Sequence, residues 1–501
     1  MSGNANLFAR LAGGFPADRG RTFLETEDGL TVSFADLLEQ AGRIAALLSA
    51  SGVVPGDRVA VQVEKSVGNI CLYLAVLQVG AVYVPLNTGY TPAELVHFLT
   101  DAEPKVVVCD PAGHDGIAPL MAGRGWIFTL GASGEGTLVA QATRLPSERQ
   151  VPVRRGDDLA AILYTSGTTG RSKGAMLTSD NLWSNTATLH AFWGFRPDDV
   201  LIHALPLYHT HGLFVALNLI LLNGGRMILL RKFDPERVIR LMTRATVLMG
   251  VPTFYTRLLA SPALTREAAA GMRLFISGSA PLLASTHQEF GALTGQRILE
   301  RYGMTETGMN ASNPLEGERR AGTVGPALPG IELRVCGPDG DELPAGEVGV
   351  LEVRGPNVFA GYWRLPERTA EEMRPDGFFV TGDMARIEAD GYVTIVGRAK
   401  DLIITGGLNV YPKEIEQAID ALPGVIESAV VGVPHPDFGE AVVAVVAARE
   451  DPGDVAGALR GQLAGFKLPK HVAVVDDLPR NAMGKVQKNL LRERFAGLFA
   501  G

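Results

Sequence analysis

Residues 164–174 read YTSGTTGRSKG and follow the apolar run LAAIL. Thr165, Ser166, Gly167, Thr168, Thr169, Gly170 and Lys173 all fall in this one loop. Small residues after a buried strand let backbone N–H groups turn inward to a phosphate. Hydroxyls add donors, and a lysine adds a mobile positive charge. The spacing Gly167-x-x-Gly170-x-x-Lys173 does not match a Walker A loop, which weakens a kinase-like or GTPase-like reading. Further along, RYGMTETG sets Thr305 beside Glu306, a hydroxyl and a carboxylate suited to a phosphate and its Mg²⁺. TGD at 381–383 ends in Asp383, suited to ribose hydroxyls. GRAKDLIITGG carries Arg398, Lys400, Gly406 and Gly407, and PRNAMGK puts Lys485 after a glycine, just ahead of the last helix. Taken singly, each of these is an ordinary cap, turn or solvated charge.

The elements that must hold these residues are legible from periodicity. Ser33 and Asp36 have capping-box spacing, apolar residues at 34, 37, 38, 44, 47 and 48 make a helical stripe, and Gly52 stops it. DRVAVQV (57–63), AVYVPL (81–86), KVVVCD (105–110), VLIHALPL (200–207), RMILL (226–230), ATVLMGVP (245–252) and RLFIS (273–277) read as strands alternating with helices. Such alternation predicts an α/β fold of layered, mostly parallel sheets. After about residue 320, Asp-Gly turns between short strands predict hairpins, hence a β-rich antiparallel subdomain. From about 398 a smaller α+β unit follows, ending in the helix KVQKNLLRERF. The predicted domains are 1–398 and 399–501.

Bulk properties bound the function. A chain of 501 residues with 46% hydrophobic composition exceeds a single core. A formal net charge of −8 argues against nucleic acid, although a local Arg/Lys cluster can still serve an anionic substrate. Cys71, Cys109 and Cys336 are too widely spaced for a disulfide framework or a metal site and fit a reducing compartment. MSGNANLFARLAGG lacks a signal-peptide core, and the longest apolar run, LFVALNLILL (213–222), is about half the roughly twenty residues that span a bilayer. The expectation is a cytoplasmic protein with no membrane or nucleic-acid partner, a monomer or a homodimer.

Taken together and in order, the five motifs resemble the adenylate-forming superfamily of acyl-CoA synthetases, peptide-synthetase adenylation domains and luciferases, over essentially the whole chain. The resemblance implies a large N-terminal domain, a mobile C-terminal domain, and ATP, Mg²⁺ and coenzyme A. A carboxylate attacks the α-phosphate of ATP to give an acyl-adenylate, and a thiol then displaces AMP. The glycine loop and Lys173 would hold the outer phosphates. Thr305 would contact the α-phosphate, and Glu306 the metal. Asp383 and Arg398 would bind the ribose. Ser279, Ala280 and Pro281 of the SGSAP turn, with Glu300, Tyr302, Gly303 and Met304, would line the rest of the nucleotide. Lys485 would bridge carboxylate and phosphate, Lys400 would be the hinge, and Gly406 and Gly407 would admit the pantetheine arm. Asn481 stands where the family often has Thr.

The same resemblance places the acyl pocket at LPLYHTHG (205–212), VPT (251–253), the SGSAP turn and RYGMTE. His209, Thr210, His211, Ser279 and Met309 fall there, with Arg257 and Arg273 in the flanking segments. Arginines near a buried pocket need an anion, and a guanidinium fork suits a carboxylate. PLYHTHGLF, GVPTFYTRLL, RLFISGSAPL and ERYGMTETGMN are similar to the malonyl-CoA synthetase branch, which implies malonate or methylmalonate. Arg257 is then expected on the distal carboxylate beside Ser279, with Arg273 as the runner-up. Thr210 and Met309 would limit α-substituents, and His209 would sit by the reacting carboxylate. The alternatives are a CoA ligase for another short or aromatic acid, a stand-alone protein loading a carrier protein, or a luciferase-like oxidase.

Overall fold

A computed structural model describes residues 3–165, 172–406, 408–460, 462–481 and 484–499. The expected positions Ser166, Gly167, Thr168, Thr169, Gly170 and Gly407 lie outside the described residues.

Four sheets organise the described chain. The first has eight strands, with Gly308–Ser312, Ile298–Met304, Leu274–Ser277, Val247–Gly250, Val200–His203 and Arg226–Leu229 in that order, then Thr22–Thr26 and Thr31–Ser33. Its interior pairs are parallel, and its two end pairs are antiparallel. The second has six strands in the order Trp126–Thr129, Val106–Cys109, Arg58–Gln62, Val82–Pro85, Leu159–Thr165 and Lys173–Thr178. Its last pair is antiparallel, with Thr165 opposite Lys173. The Asp-Gly segments form a four-stranded antiparallel sheet, Glu332–Cys336, Val348–Arg354, Phe379–Ile387 and Val393–Arg398. A five-stranded sheet is built from residues 403–475.

The main core lies between the two large sheets. Leu24, Leu201 and Met227 of one and Val59, Tyr83 and Val106 of the other share a cluster with the helix Val67–Gln78. That helix is apolar on every side because it is covered on every side. The expected helix at Ser33 spans Phe34–Ala50 with both capping-box bonds made. VLIHALPL is a strand only over Val200–His203. Pro206 has no N–H to give a ladder, and the chain leaves the sheet before it. It re-enters as a π-helical turn, His211–Leu217, running into the helix Asn218–Asn223. LFVALNLILL is therefore a buried core segment. No helix among the described residues is long and apolar enough to cross a membrane. Two further apolar clusters draw only on residues 403–499, and the others only on residues 7–395.

Candidate active site

In open parallel sheets the strand C-terminal ends carry the site. Ile298–Met304 ends in Thr305 and Glu306 before the chain returns as Gly308–Ser312. Glu306 is buried, at 6% exposure. Thr165 donates to its Oε1 at 3.3 Å, and the Tyr362 hydroxyl lies 3.2 Å from the same oxygen. Tyr362 also reaches Glu372 at 2.7 Å. Lys173 donates to Glu372 at 3.1 Å with its ammonium 4.0 Å from the Tyr362 ring centre. Burial pushes the Glu306 carboxyl up, and the Tyr362 hydroxyl, Lys173 and Arg398 oppose that rise only in part. A buried carboxylate aimed at hydroxyls fits Mg²⁺. No group of three or more His, Cys, Asp or Glu is poised for a metal among the described residues. That donor set suits an ion held chiefly by one carboxylate and substrate phosphates.

Asp383 and Arg398 stand opposite each other in adjacent antiparallel strands, 2.8 Å apart at Oδ1 and Nε. The Tyr302 hydroxyl donates to Asp383 Oδ2 at 2.5 Å. Burial raises the Asp383 carboxyl, and Arg398 and Tyr302 work against that rise. The strand pairing therefore delivers one of the expected constellations already assembled.

The SGSAP turn leaves the strand Leu274–Ser277. Ser279 has φ of +73°, a left-handed conformation costly for a residue with a Cβ. Its Oγ lies 3.2 Å from His211 Nδ1. Glu300 accepts from the Leu282 N–H at 3.0 Å, and burial pushes its carboxyl up to about 8. Thr210 is buried, with no partner for Oγ1 among the described residues. Both backbone groups of Met309 are held by the Asn185 amide. A Cβ on Gly303 would stand 2.6 Å from Met309 Cε, so Gly303 gives that side chain its room. Met304, Ala280 and Tyr302 remain partly open, and Pro281 is exposed.

Arg301 is the residue that pattern reading missed. It is 3% exposed, and its Nε and Nη2 find no partner among the described residues. Its guanidinium lies so near Gly278 that a Cβ there would meet Cζ at 2.4 Å. Burial pushes Arg301 down to about 9, a shift that Tyr255 opposes. Burial drives His209 down to about 3, with Lys485 and Arg301 adding to it, and His211 falls well below its usual value for similar reasons. Two neutral histidines therefore sit near a guanidinium that has no counter-ion among the described residues.

The two expected arginines stand elsewhere. Arg273 clamps buried Asp199, with Nε to Oδ1 at 2.7 Å and a second contact from Nη2 to Oδ2. Both residues precede parallel strands that flank Val247–Gly250 on its two sides, so Arg273 belongs to the sheet edge opposite the SGSAP turn. The expectation that it binds substrate is corrected accordingly. Arg273→Ala should cost about 3 kcal/mol or more by stranding Asp199. Urea unfolding will read that loss, and the ranking of acids in pyrophosphate exchange should not move. Arg257 is exposed in the last turn of the helix Pro252–Leu259, whose Tyr255 faces inward. A solvated arginine needs no buried anion, so the expectation that Arg257 holds a buried carboxylate is corrected.

Lys485 belongs to a tight turn. Its N–H donates to Asn481 Oδ1 at 3.0 Å, its carbonyl accepts from Asn481 N–H at 2.9 Å, and Gly484 has φ of +73°. Asn481 thus fills the turn role as well as a threonine would. Arg480 binds the Gly484 carbonyl at 2.7 Å and pairs with Glu427. Gly484 approaches Thr253, so the turn meets the VPT segment. Burial lowers Lys485, as does Arg398, while Asp383 and Glu306 oppose the shift. Lys400 is exposed in the turn Ala399–Asp401. Gly406 has φ of +58° and donates to the Phe438 carbonyl at 2.8 Å.

Comparison with known proteins gives the following. The model for AMP-binding enzymes matches residues 11–363, and that for the AMP-binding enzyme C-terminal domain matches residues 414–485. A crystal structure of ATP-bound MatB from Rhodopseudomonas palustris is 60% identical, with a TM-score of 0.96, and 99% of this chain and 100% of that one are covered. A feruloyl-CoA synthase from an Amycolatopsis species is 38% identical over 478 residues, 93% of this chain and 94% of that protein. A malonate–CoA ligase from Arabidopsis thaliana is 34% identical over 519 residues, 93% of this chain and 85% of that protein.

Proposed function

The chain belongs to the AMP-binding enzyme family, and from that premise we propose that it is an AMP-forming malonate–CoA ligase. Malonate, ATP and coenzyme A give malonyl-CoA, AMP and diphosphate by way of malonyl-adenylate. Methylmalonate, one methyl larger, is a second candidate acid. The observation that carries this reading is the buried guanidinium of Arg301 next to the SGSAP turn, unpaired among the described residues. Leaving such a charge without an anion costs several kcal/mol, and a small dicarboxylate supplies the anion. A feruloyl or fatty acyl group would leave it stranded. The likeness to a malonate–CoA ligase supports the same choice.

The roles follow from charge and position. Lys485 holds the attacking carboxylate against the α-phosphate, neutralising two anions that otherwise repel. His209, uncharged at neutral pH, offers that carboxylate a hydrogen bond without adding charge. Thr305 donates to the α-phosphate, and Lys173 draws on the outer phosphates as pyrophosphate departs. Asp383 and Arg398 fix the ribose, and the neighbouring Tyr302 ring borders the base. Glu306 would hold Mg²⁺, which supplies charge neutralisation across the phosphates. Arg301 fixes the far carboxylate, and positioning does most of the catalytic work.

Pyrophosphate exchange across a panel of acids, then thioester formation with free coenzyme A, tests the assignment. Malonate should outrank acetate, propionate, benzoate and ferulate by orders of magnitude. Preference for any monocarboxylate would refute it. The hinge is tested separately. Lys400→Pro should abolish thioester formation and spare pyrophosphate exchange, because the turn's φ/ψ change is needed only between the two half-reactions. Equal loss of both would remove the hinge role.

A further inference from the structure

Lys65 is an amine in an unusual place, and burial pushes it well below the usual lysine range. It is 7% exposed, just past the strand Arg58–Gln62 of the six-stranded sheet, and Ser66 after it caps the helix Val67–Gln78. Among the described residues it forms no ion pair, and Glu27 acts on it only at longer range. Its Nζ instead donates to the His203 carbonyl at 2.6 Å and lies 2.8 Å from His203 Nδ1. His203 is 1% exposed and ends the strand Val200–His203 of the other large sheet. Its Nε2 lies 2.9 Å from the Gly212 carbonyl.

These contacts fix a tautomer. A carbonyl only accepts, so His203 Nε2 carries the proton toward Gly212. Burial keeps the ring uncharged, so with the proton on Nε2 the Nδ1 atom presents its lone pair, and the Lys65 amine donates to it whether or not it carries a charge. The two ends of the ring agree, and the Gly212 carbonyl does not tolerate the opposite arrangement. The consequence is geometric. His203 and Gly212 bracket the segment that carries His209, Thr210 and His211. The imidazole ties its start to its end. The segment also crosses itself there, because a Cβ on Gly212 would stand 2.0 Å from the Pro206 carbonyl oxygen. His211 in turn meets Ser279. Packing alone would be satisfied by methionine, without the cost of burying an amine that has no carboxylate.

We propose that Lys65 is a positioning residue for the acid half of the site: by donating to Nδ1 of His203 it holds that ring in the Nε2–H tautomer, which clasps Gly212 and sets the loop bearing His209, Thr210 and His211. This rests on the reading of that loop as the acyl pocket. The clasp itself does not depend on which acid is bound.

Two measurements test it. Long-range ¹⁵N NMR on the wild-type enzyme should find His203 with Nδ1 unprotonated and Nε2 protonated, and with no titration between about pH 6 and pH 9. Finding the Nδ1–H form, or a charged ring, overturns the proposal whether or not any variant folds. Lys65→Met should raise KM for the acid that the wild type uses best by roughly tenfold, the scale of removing a group that orients a ligand. KM for ATP should stay within about twofold, the His203 pattern should change, and Lys65→Arg should recover most of the loss. A folded Lys65→Met with an unchanged acid KM, or with both KM values raised alike, overturns it. Failure of the malonate assignment would already show in the wild-type acid panel, so the two failures are distinguishable.

Discussion

Lys485→Ala is expected to lower malonate-dependent pyrophosphate exchange by roughly 10²- to 10³-fold, the usual effect of deleting one preorganised donor at a developing charge. Thioester formation from supplied malonyl-adenylate should change by less than about threefold, because the two anions that the ammonium holds together are by then one molecule. The asymmetry follows from how the residue is held. The turn made with Asn481 and Gly484 presents one ammonium near Asp383, Arg398 and Glu306. An alanine keeps the turn and removes only the charge. Single-turnover assays of the two half-reactions read the split, and matched losses in both would assign Lys485 to folding or docking instead.

Arg301→Met should lower kcat/KM for malonate by roughly 10²- to 10³-fold, equivalent to about 3–4 kcal/mol for a lost buried charge pair. Propionate and butyrate should gain, because an apolar floor no longer strands a cation under a methyl group. The free enzyme should unfold at the same or a higher temperature, since the guanidinium has unsatisfied nitrogens when no acid is bound. A gain in stability joined to a loss in selectivity is the mark of a residue kept for its ligand. Malonate kinetics unchanged in a folded Arg301→Met would return the far carboxylate to Arg257.

The sequence reveals what is local. Ser33 with Asp36 announces the helix Phe34–Ala50, and Asp-Gly turns announce the four-stranded sheet, because each depends on residues a few positions apart. The same holds for Asp383 and Arg398, which the resemblance names and a single strand pairing brings face to face. Arg273 misleads because its partner Asp199 becomes a neighbour only once the parallel strand order is known. The rule that sites lie at strand C-termini was available and would have excluded it, since Arg273 precedes its strand. Arg301 escaped for the opposite reason. Within ILERYGM it reads as one polar position of an ordinary strand, and its burial depends on the missing side chain of Gly278, just past the end of the next strand. Two adjacent charges, Glu300 and Arg301, inside a buried strand were the available signal, because neither is stable there without a purpose.

The most direct test is a crystal structure with a non-hydrolysable malonyl-adenylate analogue. The distal carboxylate should lie within about 3 Å of the Arg301 guanidinium, the separation of a charge-assisted hydrogen bond, with Lys485 at the acyl phosphate end. A distal carboxylate held by Arg257 or left in solvent, with Arg301 still unpaired, would contradict the account.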